Sequence, residues 1–238
     1  MHSKEPLDVL EAMATTRAIR RYRPDPIPEA DLATMCFAAS RAPSGSNRQQ
    51  FRFVVLTDGP KAVEAKALLG GAFRGGWEAK KSADNYGAGS GAVTDSPKAR
   101  QAAAMQSFVD NFELTPAVFL ACLIRYRPEN SAEGASIYPA VQNLMLAARK
   151  LGYGGVITMW HSSVEPELRV LLGIPDGVAI AATIPMGRPM GTHGPVRRRP
   201  LSEFVFADSW GHPAPWAVDP AGTRHAFPRR VESPTDET

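Results

Sequence analysis

The 238-residue sequence predicts an α+β domain, a central mixed sheet flanked by helices. Periodic segments run helix, helix, strand, helices, then strand, helix, strand, helix, strand, an order that builds such a layered domain. The chain opens on a helical pattern and has neither a G-x-G-x-x-G after a strand nor a P-loop. A doubly wound nucleotide-binding fold is therefore not supported. Hydrophobic residues make up 44% of the chain, which suits a folded core and excludes global disorder.

The first helix reads from Pro6 to about Ala18, with Val9, Leu10 and Met13 on one face. RPDPIP (23–28) ends it, because Pro24, Pro26 and Pro28 cannot continue a helix. A second helix spans Pro28 to Ser40. Glu29 and Asp31 favour its positive end, and Leu32, Met35, Cys36 and Ala39 keep the spacing of an apolar stripe. Pro43 closes it, and a β-branched and aromatic strand runs from Arg52 to Leu56. Lys61 to Leu69 reads as a short helix. Residues 70–95 mix glycine with Phe73, Trp77 and Tyr86, which suits a lid better than a linker.

Ser96 and Pro97 take the cap and first-turn positions of the next helix, whose stripe is Met105, Phe108, Val109 and Phe112. AVFLACLI (117–124) is a buried strand, 134–151 the most regular helix, and GGVITMW (154–160) another strand. Ser162 to Leu172 is a helix with Glu165 placed for a capping box, and VAIAATIPMG (178–187) is the last strand. The chain reads as a single domain over 1–238 with a C-terminal extension, 204–238. Phe206, Trp210 and Trp216 in that extension are apolar anchors suited to packing on a partner subunit.

The formal charge is +3, but arginines crowd into TTRAIRRYRP and GPVRRRPL. A nucleic-acid surface needs a longer basic face with interleaved aromatics; two short clusters far apart suit a small anion better. Cys36 and Cys122 sit in apolar surroundings without metal-ligand spacing and read as free thiols. No stretch approaches the roughly 18 apolar residues of a membrane span, and the N-terminus lacks the apolar core of a signal peptide. The expectation is a soluble, cytoplasmic protein.

RAPSGSNRQQF (41–51) places two hydroxyls, two amides and a cation in one turn-prone loop ahead of a strand. This loop, the basic segment at 17–23 and the arginine run at 197–199 could enclose a phosphorylated, hydrogen-bonding ligand. At these residues the chain resembles the FMN-dependent nitroreductase family. TTRAIRRY is similar to the family's R-x-S-x-R-x-F, and APSGSNRQQF to its A-P-S-x-x-N-x-Q-P-W. QNLMLAARKLGYG is similar to its Q-N-L-x-L-A-A-x-x-L-G, and GRPMGTHGPVRRRPLSEFV to its basic, proline-containing end. Four motifs in the family's order cover about residues 8 to 206.

The resemblance implies a nitroreductase-like fold that binds FMN at the interface of a homodimer, with the C-terminal extension wrapping the partner subunit. Arg17 and Arg20 match positions that reach the phosphate, ribityl chain and pyrimidine edge, and Arg197 and Arg199 match the C-terminal phosphate contacts. Pro43, Ser44, Ser46, Asn47 and Gln49 match the loop that approaches the flavin from the other subunit. The strand at 154–160, through Ile157 and Thr158, matches the segment facing the central ring. Phe73, Trp77, Tyr86, Met159 and Trp160 are the expected walls of the acceptor pocket. Ala18, Gln50 and Phe51 depart from the usual serine, proline and tryptophan, and Met159 and Trp160 make the ring edge bulkier. Arg21 and Arg23 read as solvated charges, Arg198 as pointing away in an extended stretch, and His161 as a packed or surface residue. His193 lies in a Gly/Pro loop without a partner motif.

The implied activity is ping-pong hydride transfer from NAD(P)H through FMN to a nitroaromatic or quinone-like acceptor. The cofactor carries the hydride, so no protein acid, base or metal is required. The arginines favour NADPH over NADH. Alternatives are a flavin-dependent alkene reductase, a flavin-cleaving enzyme, and a protein that sequesters FMN without turnover.

Overall fold

A computed structural model of the chain describes residues 7–226. Strands β1 (Phe51–Leu56), β2 (Ala117–Ile124), β3 (Gly154–Gly155) and β4 (Val178–Gly187) form one sheet in the order β1-β2-β4-β3. The helices are α1 (Val9–Thr15), α2 (Glu29–Ser40), α3 (Pro60–Ala83), α4 (Pro97–Asp110), α5 (Tyr138–Lys150) and α6 (Glu165–Leu172). The α+β class is as expected. Every pairing among these strands is antiparallel, where a mixed sheet was expected. Two helices, α3 and α4, run out and back between β1 and β2, so the chain re-enters the sheet where it left and β2 runs the opposite way.

The core follows from the alternation of β2. Ala117, Phe119, Ala121 and Leu123 face a cluster with Met35, Ala39, Val141, Leu144 and Ala148 of α2 and α5. Val118, Leu120 and Cys122 face a second cluster with Leu69, Phe73, Trp77, Phe108 and Phe112. A strand buried on both faces reads as an unbroken apolar run, as AVFLACLI does. Cys36 and Cys122 are free thiols.

The largest correction concerns residues 60–83. The expected short helix and the first half of the expected lid are one 24-residue helix, α3. Leu69, Phe73 and Trp77 recur at helical spacing on it and are fully buried. Gly70, Gly71, Gly75 and Gly76 each cost a helix about 1 kcal/mol relative to alanine. Burying the three large side chains contributes about 1.5–3 kcal/mol apiece, so the stripe wins. Only from Asp84 does the chain turn irregular, with one 3₁₀ turn at Gly89–Ala92.

Other boundaries move less. α1 covers Val9–Thr15 of the expected span, whose start at Pro6 lies outside the described residues. Ser96 caps α4 by accepting a hydrogen bond from the Ala99 amide (3.0 Å). α5 begins later than expected, with Pro139 in its first turn and a 3₁₀ turn, Glu133–Ser136, ahead of it. The expected strand 154–160 pairs only at Gly154–Gly155 and again at Thr158 opposite Thr183. Trp160–Val164 is a 3₁₀ turn, so α6 starts at Glu165 without a side-chain cap and no capping box forms. Glu165 pairs instead with Arg169 at 2.5 Å.

The chain divides into two compact units, one ending at Gly194 and one starting at Pro195. In the second, Arg198 lies parallel to His225, the Leu201 amide donates to Asp219 (2.9 Å), and Phe206 packs on Trp210 with ring centroids 5.1 Å apart. The expected extension reaches beyond Ala226, outside the described residues. Among the described residues, no helix is long and apolar enough to cross a membrane.

Candidate functional site

After α1 the chain runs extended, and its backbone locks the basic segment against the sheet. The Ile19 amide donates to Gly155 O (2.9 Å), the Arg23 amide to Arg188 O (2.8 Å), and the Met190 amide to Arg21 O (3.0 Å). Gly154 permits this approach: a Cβ there would meet Ile19 Cγ1 at 2.5 Å. Tyr22 pins the segment from below, its hydroxyl donating to Ile19 O and lying 3.1 Å from Pro185 O. Residues distant in sequence thus form one surface.

A cleft of about 390 Å³ opens there. Its walls are Arg17–Arg21 on one side, Gln101, Ala104 and Met105 of α4 on another, and Pro189, Gly191 and Thr192 on a third. Arg17 and Arg20, the basic positions singled out in the sequence, both line it. Burial disfavours the charged form of Arg20, with Tyr22 and Tyr86 acting in the opposite direction. Tyr86 is half-buried, stacked edge-on with Trp77 at 5.2 Å.

The 154–160 segment borders this region through Gly155. Thr158 exchanges both backbone hydrogen bonds with Thr183 (3.0 and 2.8 Å), so its amide is committed to the sheet. Ile157 is exposed, and its backbone has no partner among the described residues. Met159 is exposed too, whereas Trp160 is half-buried, its ring 5.3 Å from Phe73 and resting on the backbone at Gly76. Phe73 and Trp77 are core residues of α3, and Trp77 donates its indole N–H to Gln106 Oε1 (2.9 Å).

The 43–49 loop stands apart within one chain: none of its residues lines the cleft. Ser46, Asn47 and Gln49 all have positive φ (52°, 50° and 52°), a left-handed conformation that costs side-chain-bearing residues about 1–3 kcal/mol each. Ser44 Oγ holds the bend by accepting from the Gln49 amide (2.8 Å), and the Gly45 amide donates to Ser136 Oγ (3.4 Å). Pro43, Ser46, Asn47 and Gln49 are left exposed, with Ser44 half-buried.

In the second unit Arg197 is exposed and Arg199 sits 3.5 Å from Glu203. Arg198 is exposed as well and donates to Arg197 O (3.0 Å). His161 is buried, its Nε2 donating to Ile180 O (2.9 Å). Sequence reasoning missed Gln101, Ala104 and Thr192. No local pattern marks them, since it is the packing of α4 and the course of 188–192 that bring them to Arg17 and Arg20.

The Nitroreductase family model matches residues 13–188, the stretch that contains the Arg17–Arg21 and α4 walls of the cleft. The chain belongs to this family. A Thermus thermophilus protein named NADH dehydrogenase is 29% identical over 213 residues, covering 84% of this chain and 96% of that one. Among solved structures, a variant of an FMN- and NADPH-dependent nitroreductase from a Sphigopyxis strain superposes with a TM-score of 0.66 at 21% identity, over 86% of this chain and 100% of that one. A Bacteroides fragilis nitroreductase with bound FMN gives 0.56 at 21% identity, over 80% and 95%. At these identities the structures establish the fold.

Proposed function

We propose that the chain is an FMN-dependent oxidoreductase, a nitroreductase that carries reducing equivalents from NADPH, in preference to NADH, to nitroaromatic or quinone-like acceptors. The observation that carries this reading is the hydrogen bond from Ile19 to Gly155, which seats the Arg17–Arg21 segment against the sheet at the head of the 154–160 segment, with Arg17 and Arg20 lining the cleft. The donor set fits the cofactor. FMN presents a phosphate, a hydroxylated chain, a pyrimidine edge that accepts hydrogen bonds, and a flat ring. Guanidinium forks suit the first and third, and an exposed apolar segment suits the last. A cleft of this volume lies in the usual range for small-ligand sites. The Thermus protein's name supports nicotinamide-dependent oxidoreduction, and the Sphigopyxis protein's name supports FMN with NADPH.

Bound in this cleft, FMN supplies the redox chemistry. The chain's own groups hold and orient it. Arg17 would hold the phosphate and Arg20 the pyrimidine edge, where its charge would stabilise an electron-rich ring; Arg197 and Arg199 are the arginines of the second unit suited to a phosphate. The free amide of Ile157 would serve the central ring, and Thr158 would shape the segment, its own amide being held by Thr183. Met159, Trp160 and Tyr86 would border the face open to reductant and acceptor. Pro43, Ser44, Ser46, Asn47 and Gln49 come from a second copy of the chain. That role explains why a strained loop displays its polar groups away from its own cleft.

Purified protein is expected to be yellow, to release FMN on heating, and to oxidise NADPH when a nitroarene is supplied. Changing Arg197 and Arg199 together to alanine removes charge-assisted hydrogen bonds of about 1.5–3 kcal/mol each, so FMN affinity falls on the order of 100-fold or more. Arg198→Ala changes it only a few-fold. Release of FAD, or no flavin after reconstitution, overturns the reading. Bound FMN without turnover leaves a sequestering protein.

A further inference from the structure

We propose that a second basic cleft, lined by Arg23, Arg149, Arg188 and His193, is a phosphomonoester site that selects a 2′-phosphorylated nicotinamide dinucleotide as the reductant. The inference rests on the nicotinamide-dependent reading above and gives that reading a specificity site distinct from the flavin cleft.

The cleft encloses about 550 Å³, and Gly152 and Thr192 complete its walls with no carboxylate among the residues that line it. Its three arginines come from three different segments. Arg23 is fixed through its backbone to Arg188 O (2.8 Å), while its guanidinium has no partner among the described residues. Arg149 spends only Nε, on Thr15 Oγ1 (3.0 Å). Arg188 lies 4.4 Å over the ring of Tyr153 and donates one Nη2 bond to its hydroxyl (3.0 Å). That hydroxyl in turn donates to Asp31 Oδ2, a carboxylate that does not line the cleft. His193 donates from Nε2 to Tyr153 O (3.1 Å), and its Nδ1 is buried with no partner.

Several guanidinium forks with unspent N–H groups and no opposing carboxylate recognise a dianion, and a phosphomonoester is the dianion whose geometry they match. Burial first, and then the charge of Arg149, hold the His193 imidazole below its ordinary range against backbone hydrogen bonds at Tyr153 and Thr15. Arg149 alone could be explained as a cation complementing the C-terminus of α5. That explanation does not extend to Arg23 and Arg188, which belong to other segments. Pro189, Gly191 and Thr192 line both this cleft and the Arg17/Arg20 cleft, so a reductant stacked in the first has the second beside it.

The test uses full-length, flavin-loaded protein and two variants, Arg23→Ala and Arg149→Gln; Arg188 is left intact because it packs on the core residue Tyr153. KM for NADPH is expected to rise about tenfold or more in each, with kcat and KM for NADH nearly unchanged. Lys61→Ala, an exposed charge elsewhere, leaves the NADPH/NADH ratio as it was. Adenosine 2′,5′-bisphosphate, titrated calorimetrically, binds the unaltered protein more tightly than 5′-AMP, and both variants lose that preference. An unchanged NADPH/NADH ratio overturns the proposal. So does a loss of FMN affinity as large as the KM change, because the cleft then belongs to the flavin. If the protein proves to have no redox activity, the bisphosphate titration still decides the cleft: retained preference in the variants, or none in the parent, overturns it.

Discussion

His161 shows what a single residue's surroundings do to its chemistry. The sequence marks a histidine beside Trp160, packed or at the surface, and the structure buries it to 3% exposure with one ring nitrogen on Ile180 O and the other unpartnered. Burial pushes its pKa below the ordinary 6.5, against the opposing pull of the Ile180 carbonyl and Glu165. The folded chain therefore resists a proton that the unfolded chain accepts. Stability is complete above the ordinary value and is lost as pH falls toward the lower folded value. Thermal midpoints measured from about pH 7 down to about pH 5 should fall, and the fall should be smaller in His161→Asn, which keeps a donor for Ile180 O. His193, shifted the same way, leaves a residual slope in that variant. Equal slopes in the parent and the variant would remove His161 from the account. Arg23 teaches the same lesson: bland in the sequence, it acquires a setting only where its backbone meets Arg188.

At the level of elements, local pattern and structure agree where one signal dominates. β2 is an unbroken apolar run and β4 one interrupted only by Thr183, α2 has its acidic first turn, and α4 has a serine cap that forms as expected. They part where two signals compete. In α3 the glycines argue for a loop and the aromatic spacing for a helix, and only the size of the burial decides between them. Phe73 packs 4.3 Å from Phe112 and 5.3 Å from Trp160, ring centre to ring centre, with no exposed surface. Phe73→Ala should thus cost about 3–5 kcal/mol in urea unfolding, the range for emptying an aromatic core site. An exposed lid residue would cost under about 0.5 kcal/mol. A loss that small would restore the lid in place of the helix. The 154–160 segment is the converse case: its composition suits a strand, but strand pairing stops at Gly154, Gly155 and Thr158, with the Val156 amide donating to Pro185 O (3.3 Å). Ile157 and Met159 are left exposed.

The whole molecule is expected to function as a homodimer. Val9, Leu10 and Met13 leave an apolar face of α1 exposed, while Ala12 on the same helix is buried. The 43–49 loop holds its polar groups on strained backbone outside its own chain's cleft. Both features suit a surface completed by a second copy, with one flavin site built from two chains. Sedimentation of the flavin-loaded protein at micromolar concentration should give a dimer, and dilution to monomer should release FMN. A monomer that retains its flavin would show that one chain suffices.

The chain by itself determined its family, its fold class, most of its strands and helices, and the chemistry available to a site. Those properties are local: apolar periodicity, turn residues and clustered arginines are carried by neighbours in sequence. Tertiary structure alone decided which groups share a space. Ile19 meets Gly155, Arg23 meets Arg188, and α4 brings Gln101 and Met105 to Arg17 and Arg20. Periodicity tells a residue which face of its own element it occupies and nothing about which element lies opposite. That choice is made by close packing and by the need of each buried amide and carbonyl to find a partner, often more than a hundred residues away.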